Sequence, residues 1–531
     1  MTDPVLSAAA EHSVRAASPI DARERAVPLY DVASLRLIEA QATRSLPAHT
    51  LMARAGHAAA SMLLYDEVPV RAAWIAVGPG NNGGDALVTA CELHRAGVRV
   101  QACMPCEVVP DDARWALQRA REAGVPISTT IPDTLQGFDW ALDGLFGIGL
   151  GRPLEGDFAR IAALLSEHAR QRARVLALDV PSGLDSDTGN VAHGGTAVRA
   201  TDTLTFIGAK PGLYTAHGPD LAGRVRIAPL ELTAALTMPA GMPPSGVSML
   251  NAPALFASRL PERTLASHKG TFGTLAVIGG VTGMCGAPIL AARAALYCGA
   301  GKIHVGLLGD GAPPYDPVHP ELMLSPIHTL ALGAASALAV GPGMGRDERA
   351  ARVLADVLSL NVPIVVDADA LNLLAHDASL AARLARRQAA AIITPHPLEA
   401  ARLLDVDAAS VQRDRLGAAR RLAERLNAVV VLKGNGTVIA DARGPGRRPL
   451  AINPTGNAAL ATGGTGDVLC GMISALAAQR MPSYEAALTA VYLHGAAAES
   501  LCADGDGPAG CTAGELAPRV RRLLNTRFYT H

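Results

Sequence analysis

The chain has 531 residues, 49% of them hydrophobic but only 3% aromatic, so its core must be built from Ala, Val, Leu and Ile. That length excludes a single small core and allows about three domains at ~150 residues each. The balance of 47 basic against 48 acidic residues excludes the positive field that a nucleic-acid or anionic-membrane partner would require.

Residues 1–27 mix acids and arginines without an apolar run and read as a flexible extension, not a signal peptide. Apolar stretches are short and glycine-broken, below the ~20 residues of a membrane span. Eight scattered cysteines predict reduced thiols and a cytoplasmic protein. Cys103 and Cys106 have a CxxC spacing, but neither a second pair nor a His cluster accompanies them to make a zinc site.

From Leu29 on, short apolar runs alternate with longer segments of helical period, the form of a parallel sheet covered by helices. Residues 28–232 form the first α/β domain, with strands expected over 73–77, 98–104, 140–145, 175–180 and 203–207, and helices over 34–46, 86–96, 111–123 and 158–170. Residues 233–250 read as a linker, because 237–247 carries three prolines, two glycines and no charge. The second domain, 251–525, has strands expected over 275–278, 303–307, 337–340, 364–366, 391–394, 429–432 and 438–440, and a helix beginning near Gly466. Two unequal domains thus replace the three that length allows.

In the first domain the strand 73–77 runs into Gly78-Pro-Gly-Asn-Asn-Gly-Gly-Asp85, and a helical segment follows. Glycines after a strand let backbone N–H groups approach an anion, and a helix N-terminus adds about half a positive charge. The side-chain oxygens of Asn81, Asn82 and Asp85 suit a sugar hydroxyl or a hard cation. Asp143 ends a later strand before a glycine loop with one arginine, Arg152, and Asp179 ends the next before Val-Pro-Ser182. Ligands of an open α/β sheet bind beyond the carboxyl ends of its strands. The three segments are therefore expected to converge.

The second domain carries Gly463-Gly-Thr-Gly-Asp467 at the opening of a helix, where successive backbone N–H groups face a phosphate with a carboxylate beside them. Such an aspartate takes the proton from a hydroxyl attacking a phosphoryl group. No Gly-Lys-Ser/Thr follows the glycines, so this is not a Walker A loop. Supporting segments stand at strand ends: Lys433-Gly-Asn-Gly-Thr437, His396 between two prolines, Asp367 and Asp369, and the turn Gly341-Pro-Gly-Met-Gly345.

The set Asn-Asn-Gly-Gly-Asp85, Asp143-Gly-Leu-Phe-Gly147 and Asp179-Val-Pro-Ser-Gly183 resembles the N-terminal NAD(P)HX epimerase domain of the bifunctional NAD(P)H-hydrate repair enzymes, over about 29–232. The resemblance implies a Rossmann-like parallel sheet with helices on both faces. It implies that Asn81, Asn82, Gly83, Gly84 and Asp85, with Gly147, Ile148, Gly149, Leu150, Gly151, Arg152 and Pro153, hold the hydrated dinucleotide. It further implies a potassium ion between Asn82, Asp143 and Ser182, and Asp179 as the catalytic acid and base facing the nicotinamide. Inverting a carbinolamine carbon requires protonating a leaving hydroxyl and deprotonating water, which one carboxyl group can do in turn. The family pattern has glycine where this chain has Ala86, which is expected to tighten the pocket.

The second set resembles the larger, ribokinase-like α/β domain of the same enzymes, the ADP-dependent NAD(P)HX dehydratase, over about 267–498. By that resemblance Ala287, Gly343, Gly345 and His396 contact the hydrate, and Lys433, Gly434, Asn435, Gly436, Thr437 and Gly466 hold ADP or AMP with Mg²⁺. Asp467 takes the hydroxyl proton of the hydrate. The family has glycine where this chain has Leu398, which leaves the turn after His396 open.

The implied function is metabolite repair. R and S forms of hydrated NADH and NADPH interconvert, and the S form is dehydrated at the expense of ADP, releasing AMP and phosphate. The implied partners are these small molecules within a homo-oligomer, without nucleic acid or membrane. A vitamin or sugar kinase with a regulatory nucleotide-binding first domain is the alternative, because the same anion hole serves phosphoryl transfer to any hydroxyl. A first domain that binds without chemistry is a further reading, against which Asp143 and Asp179 stand. A Rossmann oxidoreductase fits least, since the glycine loop lacks GxGxxG and the ribose-binding acid expected about 20 residues on.

Overall fold

The computed structural model describes residues 20–21, 25–66, 68, 70–232, 247–311, 313–443 and 448–529. They divide into two compact units, the first taking 20–21, 28–213 and 217–232, the second 25–27, 214–216 and 247–529. Most of the expected extension 1–27 and of the linker 233–250 lies outside the described residues. Where they are described, both differ from expectation. Ile20–Asp21 is a short strand antiparallel to Arg224–Ala228, and Val247–Leu250 is a strand parallel to Leu450–Ile452. Each pairs with a segment about 200 residues away, so no local pattern announces it.

In the first unit the sheet runs in the order Ile20–Asp21, Arg224–Ala228, Asp202–Phe206, Arg174–Leu178, Trp140–Gly144, Ala72–Val77, Arg99–Cys103 and Ile127–Ser128. All neighbours but the first pair are parallel. From Ala72–Val77 the chain proceeds outward on one side and then returns to Trp140–Gly144 on the other. The order therefore reverses between these two strands, and a crevice opens beyond their carboxyl ends. Trp74 and Trp140, in the amino-terminal halves of these two strands, are fully buried. The helix after the glycine-rich segment is Asn81–Arg95, five residues earlier than the pattern places it. Two glycines are poor helix formers, but packing decides: Gly83 lies against the carbonyl of Gly78 and Gly84 against Met52. A further helix, Thr50–Leu64, packs on Asn81–Arg95.

In the second unit the strands follow the order Met323–Pro326, Lys302–Leu307, Thr274–Gly279, Ala337–Val340, Ile364–Val366, Ala391–Ile393, Val429–Leu432, Val438–Asp441, Leu450–Ile452 and Val247–Leu250. Pairing is parallel up to Val429–Leu432 and antiparallel through Val438–Asp441 to Leu450–Ile452. The order reverses between Thr274–Gly279 and Ala337–Val340, which places a second crevice at the turns that follow them. The helix Thr465–Ala478 packs closely on Gly286–Tyr297, with Gly471 against the carbonyl of Ala291. Small side chains make that approach feasible, consistent with an aromatic-poor core.

Candidate active sites

The first crevice holds a cavity of about 600 Å³ whose wall includes Asn81, Asn82, Asp85, Gly147 and Asp179. The glycine turn itself is set by sterics: a Cβ at Gly78 would lie 1.8 Å from the carbonyl oxygen of Leu145. That contact joins the two strand ends, reinforced by the hydrogen bond from Gly78 N to the Gly144 carbonyl at 3.0 Å.

Asp143 is completely buried. Its carboxylate accepts from Ser182 Oγ at 2.7 Å, Ser182 N at 2.8 Å and Leu145 N at 3.2 Å, and burial raises its pKa to about 6 despite these bonds. Ser182 Oγ in turn accepts from Phe146 N at 2.9 Å. Asn82 is buried with both side-chain polar atoms lacking a hydrogen-bond partner in the protein. Its amide group lies near Gly147, where a Cβ would stand 3.7 Å from its Cγ. A buried, orphaned amide beside a buried carboxylate and a hydroxyl is a donor set that fits a hard monovalent cation.

Asp179 follows the strand Arg174–Leu178 with φ +67, a left-handed conformation that non-glycine residues rarely hold. Its Oδ1 is bonded by Lys210 Nζ and by Phe206 N at 3.3 Å, while Oδ2 is turned toward Gly147. Lys210 is fully buried and also donates to Thr205 Oγ1 at 2.8 Å and to the Phe206 carbonyl at 2.9 Å. Asp85 is half-buried, and desolvation together with Asp179, Glu39 and Asp112 holds its carboxyl well above the ordinary range. Burial and the nearby Asp179 also raise Glu39.

Sequence reasoning missed Lys210 and Glu39. Lys210 sits four residues past the strand Asp202–Phe206, so the same strand-end rule that found Asp179 could have found it. Glu39 lies in the helix Val32–Thr43 and carries no sequence signal. Gly147, Ile148, Gly149 and Leu150 line the cavity, whereas Gly151, Arg152 and Pro153 do not. Gly83 and Gly84 are buried in the first helical turn and serve its packing. Ala86 is likewise off the cavity wall and does not tighten it. It is fully buried against Gly144, where an added Cβ would lie 2.3 Å from its own.

In the second crevice, Asp467 stands in the first turn of Thr465–Ala478, whose N-cap Gly464 has φ +89. Desolvation and the neighbouring Asp367 raise Asp467 to about 6, against the lowering effect of Lys433. Lys433 Nζ bonds Asp367 Oδ1 at 2.9 Å and approaches Glu399 Oε2 at 4.0 Å. A Cβ at Gly466 would stand 3.5 Å from the same nitrogen, so Lys433 reaches the anion hole. Burial alone would lower its pKa, but Asp367 and Glu399 outweigh burial and raise it. Burial pushes Glu399 up to about 7.

His396 caps the helix Pro397–Leu404: its Nδ1 accepts from Leu398 N at 3.1 Å and Glu399 N at 3.3 Å, while Glu399 Oε2 accepts from His396 N at 2.8 Å. Leu398 sits within that helical turn with its side chain exposed, so a residue other than glycine is accommodated there. Gly343 adjoins Ala287, and Gly345 N donates to Asp369 Oδ2 at 3.0 Å. Asp367 stands at the strand end where the sequence singles it out, and Glu399 is an addition, on the helix that follows the strand Ala391–Ile393. His494, buried on Ser483–Ala503 and lowered to about 4 by burial, had no such signal.

Among the described residues no group of three or more His, Cys, Asp or Glu side chains is arranged to hold a metal ion, and no helix is long and apolar enough to cross a membrane. Residues 275–517 match the family model described as NAD(P)H-hydrate dehydratase, and 48–212 match that described as YjeF-related protein N-terminus. The chain is similar to the bifunctional NAD(P)H-hydrate repair enzyme Nnr of Coxiella burnetii, 35% identical over 94% of this chain and 99% of that protein. It is also similar to the ADP-dependent (S)-NAD(P)H-hydrate dehydratase of Neisseria meningitidis, 45% identical over 52% of this chain and 92% of that one. A solved structure of the ADP/ATP-dependent NAD(P)H-hydrate dehydratase from Bacillus subtilis, co-crystallized with ATP/Mg²⁺, aligns at 34% identity with a TM-score of 0.44, covering 51% of this chain and 95% of that one.

Proposed function

The chain belongs to the family of bifunctional NAD(P)H-hydrate repair enzymes, and from that premise we propose how its two units divide the work. It is an NAD(P)H-hydrate epimerase and an ADP-dependent NAD(P)H-hydrate dehydratase in one chain. The first unit interconverts R and S hydrates, and the second returns the S form to NAD(P)H with release of AMP and phosphate. The observation that carries this division is that each unit presents its own carboxylate beside a lysine at the crevice where its sheet order reverses: Asp179 with Lys210, and Asp467 with Lys433. A sugar or vitamin kinase has no use for the first of these sites.

In the first unit, Asn81, Asp85 and the wall 147–150 support binding of the hydrate. Lys210 holds Oδ1 of Asp179, so Oδ2 is the atom that exchanges a proton with the C6 hydroxyl as it leaves, and with the water that replaces it on the other face. Asn82, Asp143 and Ser182 would hold a potassium ion, which supplies positive charge beside the dinucleotide and the buried Asp143.

In the second unit, Asp467 takes the proton of the C6 hydroxyl while the terminal phosphoryl of ADP passes to that oxygen. The phosphate then departs with the C6–O bond electrons, and loss of a C5 proton restores the ring double bond. Backbone N–H groups of 463–466 and the Lys433 ammonium meet the charge on the transferring group. The carboxylates of Asp367 and Glu399 are already bridged by Lys433, so Mg²⁺ would enter with the nucleotide phosphates, where it neutralises their charge. Cytoplasmic location and self-association complete the reading, the former supported by eight unpaired thiols.

The test offers a mixture of R and S hydrates with ADP and records phosphate release and the recovery of dihydronicotinamide absorbance. Full conversion is expected. Conversion of only the S fraction would refute the epimerase half, and accumulation of a stable phosphorylated product would refute the dehydratase half.

A further inference from the structure

The second unit holds a deeply buried cation that the reaction above does not use. Arg415 begins the helix Arg415–Leu426 and is 1% exposed. Its Nη2 donates to the carbonyls of Leu432, Lys433 and Gly436, each at 3.3 Å. Its Nη1 donates to Gln412 Oε1 at 2.9 Å, and its Nε to Thr215 Oγ1 at 3.0 Å within the same unit. The adjacent Asp414 turns its carboxylate to Gly417 N at 2.8 Å and to Arg421 at 3.2 Å instead. Among the described residues, then, Arg415 is paired with neutral oxygens and not with an acid. Burial lowers its pKa to about 10, which still leaves it charged at neutral pH.

The carbonyl of Leu432 ends the strand Val429–Leu432, and those of Lys433 and Gly436 belong to the turn that joins it to Val438–Asp441, the turn that carries Lys433, Gly434, Asn435, Gly436 and Thr437. In a planar trans peptide the C=O and the following N–H point in opposite directions. Carbonyls of 433 and 436 aimed at the guanidinium therefore turn the amides of Gly434 and Thr437 away from it. Gly434 has φ +133, and a Cβ there would stand 2.8 Å from Arg415 Nη1, so the turn closes on the guanidinium only with glycine at this position. The far end of the turn is fixed by Asn453 N donating to the Thr437 carbonyl at 2.9 Å, and the near end by Lys433 N donating to the Pro395 carbonyl at 2.9 Å. The middle is held from one side by residues 214–216, where Ala216 N donates to the Asn435 carbonyl at 3.1 Å and Asn435 Nδ2 donates to the Ala216 carbonyl at 2.8 Å, and from behind by the charged fork of Arg415.

We propose that Arg415 is a positioning residue for the nucleotide, holding the turn 433–437 from behind so that its amides and Lys433 present themselves to the diphosphate. The inference rests on the reading of 433–437 as the ADP-binding turn. An arginine without a counter-anion under that turn also contributes an uncancelled positive charge where an anionic ligand sits, which a purely structural brace would not need.

The test uses the full chain carrying Arg415→Gln. ADP affinity is measured by titration calorimetry, and KM for ADP is compared with KM for the hydrate, kcat and the rate of R/S interconversion. ADP binding is expected to weaken about tenfold or more, as loss of charged hydrogen bonds implies, while interconversion and KM for the hydrate stay put. Arg415→Lys, which keeps the charge but not the fork, is expected to recover part of the loss. A folded Arg415→Gln chain binding ADP within twofold of the parent overturns the proposal. Should that variant not fold, Gly434→Ala intrudes on the guanidinium from the other side, and unchanged ADP affinity there overturns it equally. Because ADP binding is read directly, a parent chain that binds ADP yet restores no dihydronicotinamide would defeat the dehydratase reading and leave the Arg415 comparison intact.

Discussion

Lys210 Nζ is bonded to Oδ1 of Asp179 from a fully buried position, 31 residues further along the chain, and Asp179 holds a left-handed backbone conformation beside it. An ammonium so placed fixes one carboxylate oxygen and leaves the other for chemistry. Replacing it by Lys210→Met keeps most of the volume but removes the clamp. R/S interconversion is expected to fall about 100-fold, the scale of a displaced proton-transfer group. ADP-dependent phosphate release from pure S hydrate should be unaffected. Chromatographic separation of the two epimers over time gives the first rate, and a rate within threefold of the parent would show that Asp179 does not depend on the clamp.

Asp467 couples catalysis to stability in a testable direction. As a base it must be ionised, and its pKa is raised to about 6, so kcat/KM for dehydration is expected to fall as pH drops through about 6. Asp367→Asn removes a negative neighbour that contributes to the raised value, and the acid limb should move to lower pH. The folded pKa exceeds the unfolded value, so ionisation costs stability: the penalty is absent below about pH 4 and complete above about pH 6. Asp467→Asn removes it. At pH 7.5 this variant should gain on the order of 2 kcal/mol in the unfolding of the second unit while losing turnover. No gain at pH 7.5, or the same gain at pH 3.5, would contradict the assignment.

Asn82 gives a test of the potassium site that does not depend on activity. Two buried polar atoms without protein partners are costly unless a ligand satisfies them. Potassium chloride should therefore raise the Tm of the first unit relative to choline chloride at equal ionic strength, by the usual linkage of ligand binding to folding. Asn82→Leu should abolish that increment. A Tm that is indifferent to the cation in the parent chain would remove potassium from the site.

How much of this was legible in the sequence follows from where each signal lies. The strands Ala337–Val340, Ile364–Val366 and Val429–Leu432 coincide with the expected spans because fully buried parallel strands are short apolar runs with sharp ends. Met323–Pro326 and Leu450–Ile452 escaped because three or four residues, one ending in proline, give no period to read. Asp143 and Asp467 were visible because each adjoins a glycine at an element boundary, and Asp179 because it directly follows a buried apolar strand. Glu39 and Arg415 carry no such mark and reach the sites only through the tertiary fold, whereas Lys210, four residues past a strand, lay within reach of the same strand-end rule. The early start of Asn81–Arg95 shows the same thing for local structure: intrinsic propensity argues against a helix through Gly83 and Gly84, and close packing overrides it.

The departure from the family pattern at Ala86 leads to a paired test of packing. Ala86 is buried against Gly144, and a Cβ at Gly144 would lie 2.3 Å from the Ala86 methyl and 2.8 Å from the Ala76 carbonyl oxygen. Gly144→Ala is therefore expected to destabilise the first unit by about 1–3 kcal/mol through overpacking. Ala86→Gly alone should cost about 1 kcal/mol, from helix propensity and a lost methyl contact. Combined, the two changes remove the methyl clash, so the double variant should be more stable than Gly144→Ala alone although each single change is destabilising. The carbonyl contact persists, so recovery will be partial. Because Ala86 faces the sheet and not the cavity, Ala86→Gly should leave R/S interconversion within about twofold of the parent, as expected of a change outside the site. Urea denaturation of the four chains measures the coupling; strictly additive losses would mean that the two residues relax independently, contrary to their contact.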